Sequence, residues 1–267
     1  MMLTSMSELL PQCQHESGKT GDRYYAVEPE NEDILSSLMV IDQGEGQYTL
    51  DLWSEAHSNS YWEDRMSSIL DKMTWSSLYA TTPASFPWEK IGYRADVLAH
   101  RYRFFGKLKD VPVPAAMPNE DAVWMSAEGQ ADSLAHLLQD SDPTCPSWEA
   151  ARQAIRDIDE GVYGRLLKGS GLVELEGRKI GGCLLSDEFG SMLLAHIFTI
   201  PEAKRQGWAC WLAAYGFHRC SSDPDQRIKA SLDANNRGSY QLMKALNLQQ
   251  VPELIHVCRI TKVSELS

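Results

Sequence analysis

The sequence predicts an α+β protein, a mixed sheet flanked by helices, and three observations carry that prediction. From residue 119 onward the apolar positions switch between a period near two and a period near 3.6, in the order β-α-α-β-β-β-α-β-α-β. Within that run, SGLVELEGRKIGGCLLSDEFGSMLLAHIFTIP, from Ser170 to Pro201, reads as three consecutive strands parted by Glu176-Gly177 and by Glu188-Phe189-Gly190, both turn-like. The segment KLKDVPVPAAMPNED, 107 to 121, places three prolines within seven residues after a short basic run. Such a stretch marks a boundary between a smaller N-terminal α/β domain and a larger C-terminal one.

The elements follow in order. Residues 1–20 mix polar residues without sustained periodicity and read as a flexible terminus. Residues 21–106 form the first domain. There YTLDLWS is a strand, YWEDRMSSILDKM a helix and TWSSLYATTP a strand, and SFPWEKIGYRADVLAHRYRF is a short helix with two strands. Residues 107–118 are the linker. In the second domain, 119–267, DAVWMSA is a strand, QADSLAHLLQD a helix, and SWEAARQAIRDIDEG a second helix with a serine at its cap. After the three strands and an apolar helix come the strand RIKASLD, the helix NRGSYQLMKALN and the final strand ELIHVCRITKV.

Composition narrows the function. With 267 residues, 43% hydrophobic and 23% charged, the chain is an ordinary globular protein, large enough to need no disulfide staples. Its six cysteines, at 13, 145, 183, 210, 220 and 258, form no CxxC or Cys/His cluster with ligand spacing, so they are read as reduced and no metal is expected. No basic start leads into an apolar run, and nowhere do 18 apolar residues follow one another; the expectation is a cytoplasmic protein without a membrane partner. A formal charge of −12 argues against nucleic acid, whose phosphates need Lys and Arg. The same acidity favours a cationic substrate such as an amine, or serves solubility alone.

One junction raises a question of chemistry. IPEAKRQGWACWLAAYGF, Ile200 to Phe217, runs from a proline through Lys204, Arg205, Gln206 and Gly207 into an apolar helix containing Trp208, Ala209 and Cys210. A helix beginning after Lys204 leaves its first N–H groups without partners at the positive end of its dipole, which is an anion site. Gly207 and the small Ala209 allow a large anion close to the backbone, and Lys204 and Arg205 add full charges. A glycine at a strand-to-helix junction is also simply structural, and the Rossmann fingerprint fits poorly because a third meander strand precedes it.

Pro201, Lys204 and Gly207-Trp208-Ala209 resemble the acyl-CoA pyrophosphate loop of the GNAT superfamily of N-acetyltransferases, Q/R-x-x-G-x-G/A. Asn236, Ser239, Leu242 and Asn247-Leu248 are similar to that family's N-x-x-A/S-x-x-L-Y-x-x-x-G-F, and LVELEGRKIGGCLL looks like its second and third strands. The resemblance covers about residues 119 to 263. Lys204 keeps the charge of the motif's first position without the planar fork of arginine. Met243 stands where many members have the tyrosine that protonates the leaving thiolate, and Asn247 replaces a glycine, a mild change because asparagine tolerates a left-handed conformation. In the first half, WEKIGYR looks like the end of the family's second motif, so 21–106 resembles a degenerate copy without a glycine loop between Trp53 and Tyr61, in a tandem like that of the glycine N-acyltransferase-like members. An unrelated α+β domain with a chance match accounts for the first half equally well.

The resemblance implies a GNAT-type, mostly antiparallel sheet and transfer of an acetyl group from acetyl-CoA to a primary amine of a small molecule. The fourth strand would part from the fifth, backbone groups of Ile197, Phe198 and Thr199 would pair with the pantetheine arm, and the amides of residues 205 to 210 would hold the pyrophosphate. Asn236 and Ser239 would face the arm from the other side. A strand N–H near Thr199 would stabilise the developing oxyanion. The catalytic candidates are His196 as base, if a bulge turns it to the correct face, and Tyr240, one helical turn before Met243, as acid. A packed histidine and a surface or interdomain tyrosine are the plain alternatives, and Trp208 and Trp211 read better as core than as ligand stackers. Two other functions stay open: an acyl-CoA sensor without catalysis, suggested by Met243, and transfer from aminoacyl-tRNA, which the acidity disfavours. Monomer and homodimer are both compatible with the sequence.

Overall fold

The structure is a computed structural model, and it describes residues 14–18, 21–27, 36–54, 60–114, 116–142, 145–161, 164–188 and 190–263. The chain divides into two compact units: unit 1 comprises 1–102, 233–235 and 251–267, and unit 2 comprises 103–232 and 236–250.

Unit 1 contains β1 (Gln14–Gly18), β2 (Gly21–Val27), β3 (Ser36–Gly44), β4 (Gln47–Ser54), helix α1 (Ser60–Lys72) and β5 (Ser77–Pro83). Next comes a 3-10 turn at Trp88–Ile91 and then β6 (Tyr93–Lys107), of which the part up to Tyr102 belongs here. The strand order is β1-β2-β3-β4-β5-β14-β6, where β14 is Ile255–Lys262, and every pair is antiparallel except β4 with β5. Leu38, Val40, Leu50 and Leu52 alternate inward from the β3–β4 hairpin onto Trp62, Met66 and Ile69 of α1.

Three expectations change here. Residues 14–18, read as part of a flexible terminus, pair with β2; residues 1–13, 19 and 20 lie outside the described residues. One long strand, β6, replaces the two read in its place, because Val97–Ala99 pass through a bulge opposite Val257–Cys258 without ending the ladder. The final strand, read with the second domain, lies between β5 and β6 of unit 1, where Cys258 and Ile260 complete the core. Nothing in the alternation of ELIHVCRITKV names its partner.

On that strand His256 lies directly opposite His100, with ring centroids 4.9 Å apart. Burial holds its pKa below the ordinary histidine range, and repulsion from His100 adds to this against the opposing pull of Glu253. A histidine depressed in the folded state gives stability that is intact above its unfolded pKa of about 6.5 and is lost as pH falls toward the folded value. The unfolding midpoint should therefore drop between about pH 7.5 and about pH 5.5, and His100→Gln should reduce the drop. Thermal melts of both proteins at the two pH values check this, and equal slopes would remove the pair from the account.

Unit 2 takes β6 from Arg103 onward, then β7 (Val123–Ser126), α2 (Ala131–Ser141), α3 (Trp148–Asp159), β8 (Arg165–Leu166), β9 (Gly171–Leu175), β10 (Arg178–Glu188) and β11 (Ser191–Thr199). It ends with α4 (Trp208–Cys220), β12 (Arg227–Asp233), α5 (Arg237–Ala245) and β13 (Gln249–Gln250). Its strand order is β6-β12-β11-β10-β9-β7, mostly antiparallel, with β11 and β12 parallel. The hydroxyl of Ser147 accepts from the Ala150 N–H at 3.2 Å to cap α3, as its place in the sequence predicts, and Ala151, Ile155 and Ile158 form the buried stripe. Glu176 and Gly177 both adopt positive φ, the two-residue turn that suits a hairpin. Helix α4 approaches the Ser170 loop so closely that a side chain on Gly169 would strike the Gly216 carbonyl.

Candidate functional site

The site is built on β11. Opposite β10, Leu194 faces Leu185 and His196 faces Leu184, so Ala195 is an extra residue without a partner. That single insertion changes which face each side chain occupies. Before it, Leu194 shares the face of Leu185, the face under α4, where Leu185 touches Gly216. After it, His196 shares the opposite face with Leu184 and with Phe198, beside Leu134 of α2. Opposite residues of a ladder share a face, so Ser186, Glu188, Leu193 and Lys229 belong to the face of His196.

The partner on the other side of β11 leaves early. β12 pairs with Met192, Leu193 and Leu194, and from Ala195 onward no strand among the described residues pairs with β11 on that side. The Ile200 N–H donates to the Ile180 carbonyl at 3.0 Å, which fixes the backbone direction. By the alternation of an extended strand, Phe198 also turns its backbone groups to β10, whereas Ile197 and Thr199 turn theirs to the side that β12 vacates. Of the three residues expected to pair with a ligand arm, Phe198 is thus directed inward, and its ring packs against Gly182.

Beyond β11 the helix starts later than the sequence reading places it. Pro201–Ala203 form a 3-10 turn, Arg205 and Gly207 take positive φ of 63° and 87°, and α4 begins at Trp208. Gly207 is the N-cap and supplies no side-chain acceptor, while the first intrahelical bond joins the Trp211 N–H to its carbonyl. The N–H groups of Trp208, Ala209 and Cys210 therefore have no intrahelical partner and lie at the positive end of the dipole. A β-carbon on Gly207 would meet nothing within 4 Å, so the space above the turn is free. Trp208 is buried, Ala209 and Cys210 are half-buried, and burial pushes the Cys210 thiol pKa up.

The charges are arranged differently from the expectation. The Lys204 ammonium donates to the Ser141 carbonyl at the end of α2, 3.2 Å away, and the Gln206 amide donates to the Glu202 carbonyl at 2.7 Å. Glu202 in turn accepts from Arg178 at 3.0 Å. A hydrogen bond from its own backbone, reinforced by Arg178, holds its carboxyl below the ordinary range. Lys204 and Gln206 thus brace the turn, and Arg205, exposed and without an ion-pair partner among the described residues, is the cation left to face an anion. No sequence signal marks this bracing, since Arg178 and Ser141 lie 24 residues before Glu202 and 63 before Lys204 respectively.

On α5, the Asn236 side-chain oxygen is the N-cap, accepting from the Ser239 N–H at 2.9 Å, which fixes the orientation of the side chain. The Tyr240 hydroxyl donates to Gln250 at 3.0 Å and its ring meets Phe104 edge-on, contacts that belong to the packing of α5. Met243 is buried, and Asn247, at φ 57°, ends the helix as the residue-type argument expects. Among the described residues no three His, Cys, Asp or Glu converge as metal ligands, and no helix is long and apolar enough to cross a membrane.

No family model matches the sequence, and no curated protein does. Solved structures do. The chain is similar to a tandem GNAT protein from the clavulanic acid biosynthesis pathway at a TM-score of 0.55 and 12% identity, covering 95% of this chain and 84% of that one. It is similar to a GCN5-related N-acetyltransferase from Kribbella flavida at 0.52 and 12%, over 95% and 92% of the two chains. A third, a GCN5-related N-acetyltransferase from Sphaerobacter thermophilus, gives 0.51 and 14% over 91% and 81%. The mixed, mostly antiparallel sheet, its flanking helices and these likenesses identify the fold as that of the GNAT N-acetyltransferases.

Proposed function

We propose that unit 2 is an acyl-CoA-dependent N-acyltransferase acting on a primary amine, with acetyl-CoA as donor. The observation that carries the reading is the parting of β11 from β12 after three residue pairs, next to a bulge that turns His196 to one face. The residues present fit the donor. Ile197 and Thr199 offer backbone groups along the opened edge, where an amide-bearing arm adds as another strand. The amides of Trp208, Ala209 and Cys210, with Arg205, suit a diphosphate, and Gly207 leaves it room. Bound there, the thioester supplies an activated acyl group, and the chain's own contribution is alignment and proton handling.

His196 lies on the face opposite α4 and takes the proton of an amine arriving from that face, since an ammonium has no lone pair to use. The Thr199 N–H is a donor to an oxygen lying in the opened edge. Lys204, through Ser141, ties the turn to the end of α2 and keeps the two supports in register. Unit 1 repeats the local order of an antiparallel hairpin, a helix and a parallel strand in β3–β4, α1 and β5, which supports reading it as a second copy of the fold. There β4 and β5 stay paired over five residues from Gln47 to Asp51, so the copy has less of an opening.

A second reading, a sensor that binds acyl-CoA without turnover, is favoured by the buried Met243 and the engaged hydroxyl of Tyr240. Release of free thiol from acetyl-CoA with a panel of amines separates the two. Thiol release is expected, and His196→Ala should lower it by about 100-fold near neutral pH, with the deficit shrinking as rising pH deprotonates the amine. Binding of coenzyme A without thiol release would establish the sensor, and neither binding nor release would end both readings.

A further inference from the structure

The face of unit 2 that carries His196 also holds a cleft that donor binding leaves unused. It has a volume of about 70 Å³ between Leu134 of α2, Ile155 and Ile158 of α3, Leu166 of β8 and Leu184 of β10, with Asp159 at its edge. That is several times the ~10–15 Å³ that one water needs and well below the ~300–1,000 Å³ of drug-sized sites, so it suits a slender chain; its walls are mainly apolar, with a polar group to fix orientation. Leu184 is the cross-strand partner of His196, so the cleft lies one strand away from the imidazole, about 4.8 Å between strand axes.

Asp159 is the last residue of α3 and is exposed. A carboxylate there faces the negative end of the helix dipole, an arrangement that costs stability unless a cation answers it. Its neighbour Asp157 accepts a hydrogen bond from Gln153, but Asp159 has no ion pair or hydrogen bond among the described residues. The cleft therefore offers a hydrocarbon lining, a free carboxylate at its rim and, across one strand, a base that serves an amine.

From that juxtaposition we infer that the acceptor is a linear aliphatic diamine. Its methylene chain fills the cleft, its distal ammonium meets Asp159, and its proximal nitrogen reaches the strand beside His196. The inference rests on the acyltransferase reading and narrows it to a substrate class. A monoamine of the same length leaves Asp159 unanswered, and an ω-amino acid sets one carboxylate against another.

The test is calorimetric titration of the full chain with three probes of equal chain length: a linear alkane diamine, the alkyl monoamine and the ω-amino acid. The diamine should bind about tenfold tighter than the monoamine, the ω-amino acid weakest, and Asp159→Asn should erase that tenfold advantage. Ala131→Phe, a change at an exposed position on the lip of the cleft, should weaken diamine and monoamine together. Equal binding of all three probes, no binding of any, or a diamine affinity untouched by both substitutions would overturn the inference. Thiol release with the same probes keeps it separate from the parent reading: turnover of other amines without preference for the diamine removes only the diamine. Failure of coenzyme A to bind removes the acyltransferase, and the calorimetric result still decides what the cleft accepts.

Discussion

Gly207→Glu is expected to weaken coenzyme A binding by roughly 100-fold, about 2.7 kcal/mol, while the protein stays folded. The carboxylate would project into the free space above the turn, against the amides of Trp208 to Cys210, where a diphosphate would need to sit. The fold survives because a β-carbon at 207 touches nothing within 4 Å, so the structural cost is the positive φ of 87°, about 1–2 kcal/mol for any L side chain. Gly207→Ala carries that backbone cost without the charge and serves as the control. Titration calorimetry with coenzyme A, read beside thermal melts, separates the two contributions. A Glu variant that bound like the Ala variant would show that the anion lies elsewhere.

The second large effect is on stability. Lys229 and Glu188 share the His196 face of unit 2, their charged atoms are 3.8 Å apart, and their side chains are only 1% and 8% exposed. Removing one member of a buried pair strands the other charge, which costs about 3–5 kcal/mol, whereas replacing both by apolar groups of similar volume is often nearly neutral. Glu188→Ala should therefore lower the denaturation midpoint sharply, and Glu188→Leu combined with Lys229→Met should recover much of the loss. Urea melts of the single and double variants test this. A double variant no more stable than the single would mean that the pair is not the source of the cost.

Much of unit 2 was legible because its signals are local. RIKASLD is β12 to the residue, Ser147 caps α3, and Glu176-Gly177 makes the hairpin turn, each through chemistry contained within a few positions. The turn before α4 was legible for the same reason, since proline, glycine and an apolar helix adjoin in sequence. Contacts between distant residues were not. Lys204 on Ser141 and Tyr240 on Gln250 depend on how elements pack, and they engage one side chain that the motif assigns to a ligand and one offered as an alternative acid. The capping role of Asn236 was local and could have been read from an asparagine three residues before Ser239. The placement of β14 in unit 1 had no local mark, because the pattern of a strand gives the face it buries and leaves its neighbour open.

Ala195, the supernumerary residue of β11, gives that strand two parities joined at one point. Were Ala195 paired in the ladder as an ordinary residue opposite Leu184, composition, charge and hydropathy would be the same, yet every side chain from His196 to Thr199 would exchange sides and every peptide group would reverse its heading. The imidazole would turn beneath α4, and the free edge would present Phe198 in place of Ile197 and Thr199. The place of one small residue outside the pairing thus sets the facing of half a strand, whereas deleting Ala195 would close the bulge and keep His196 opposite Leu184.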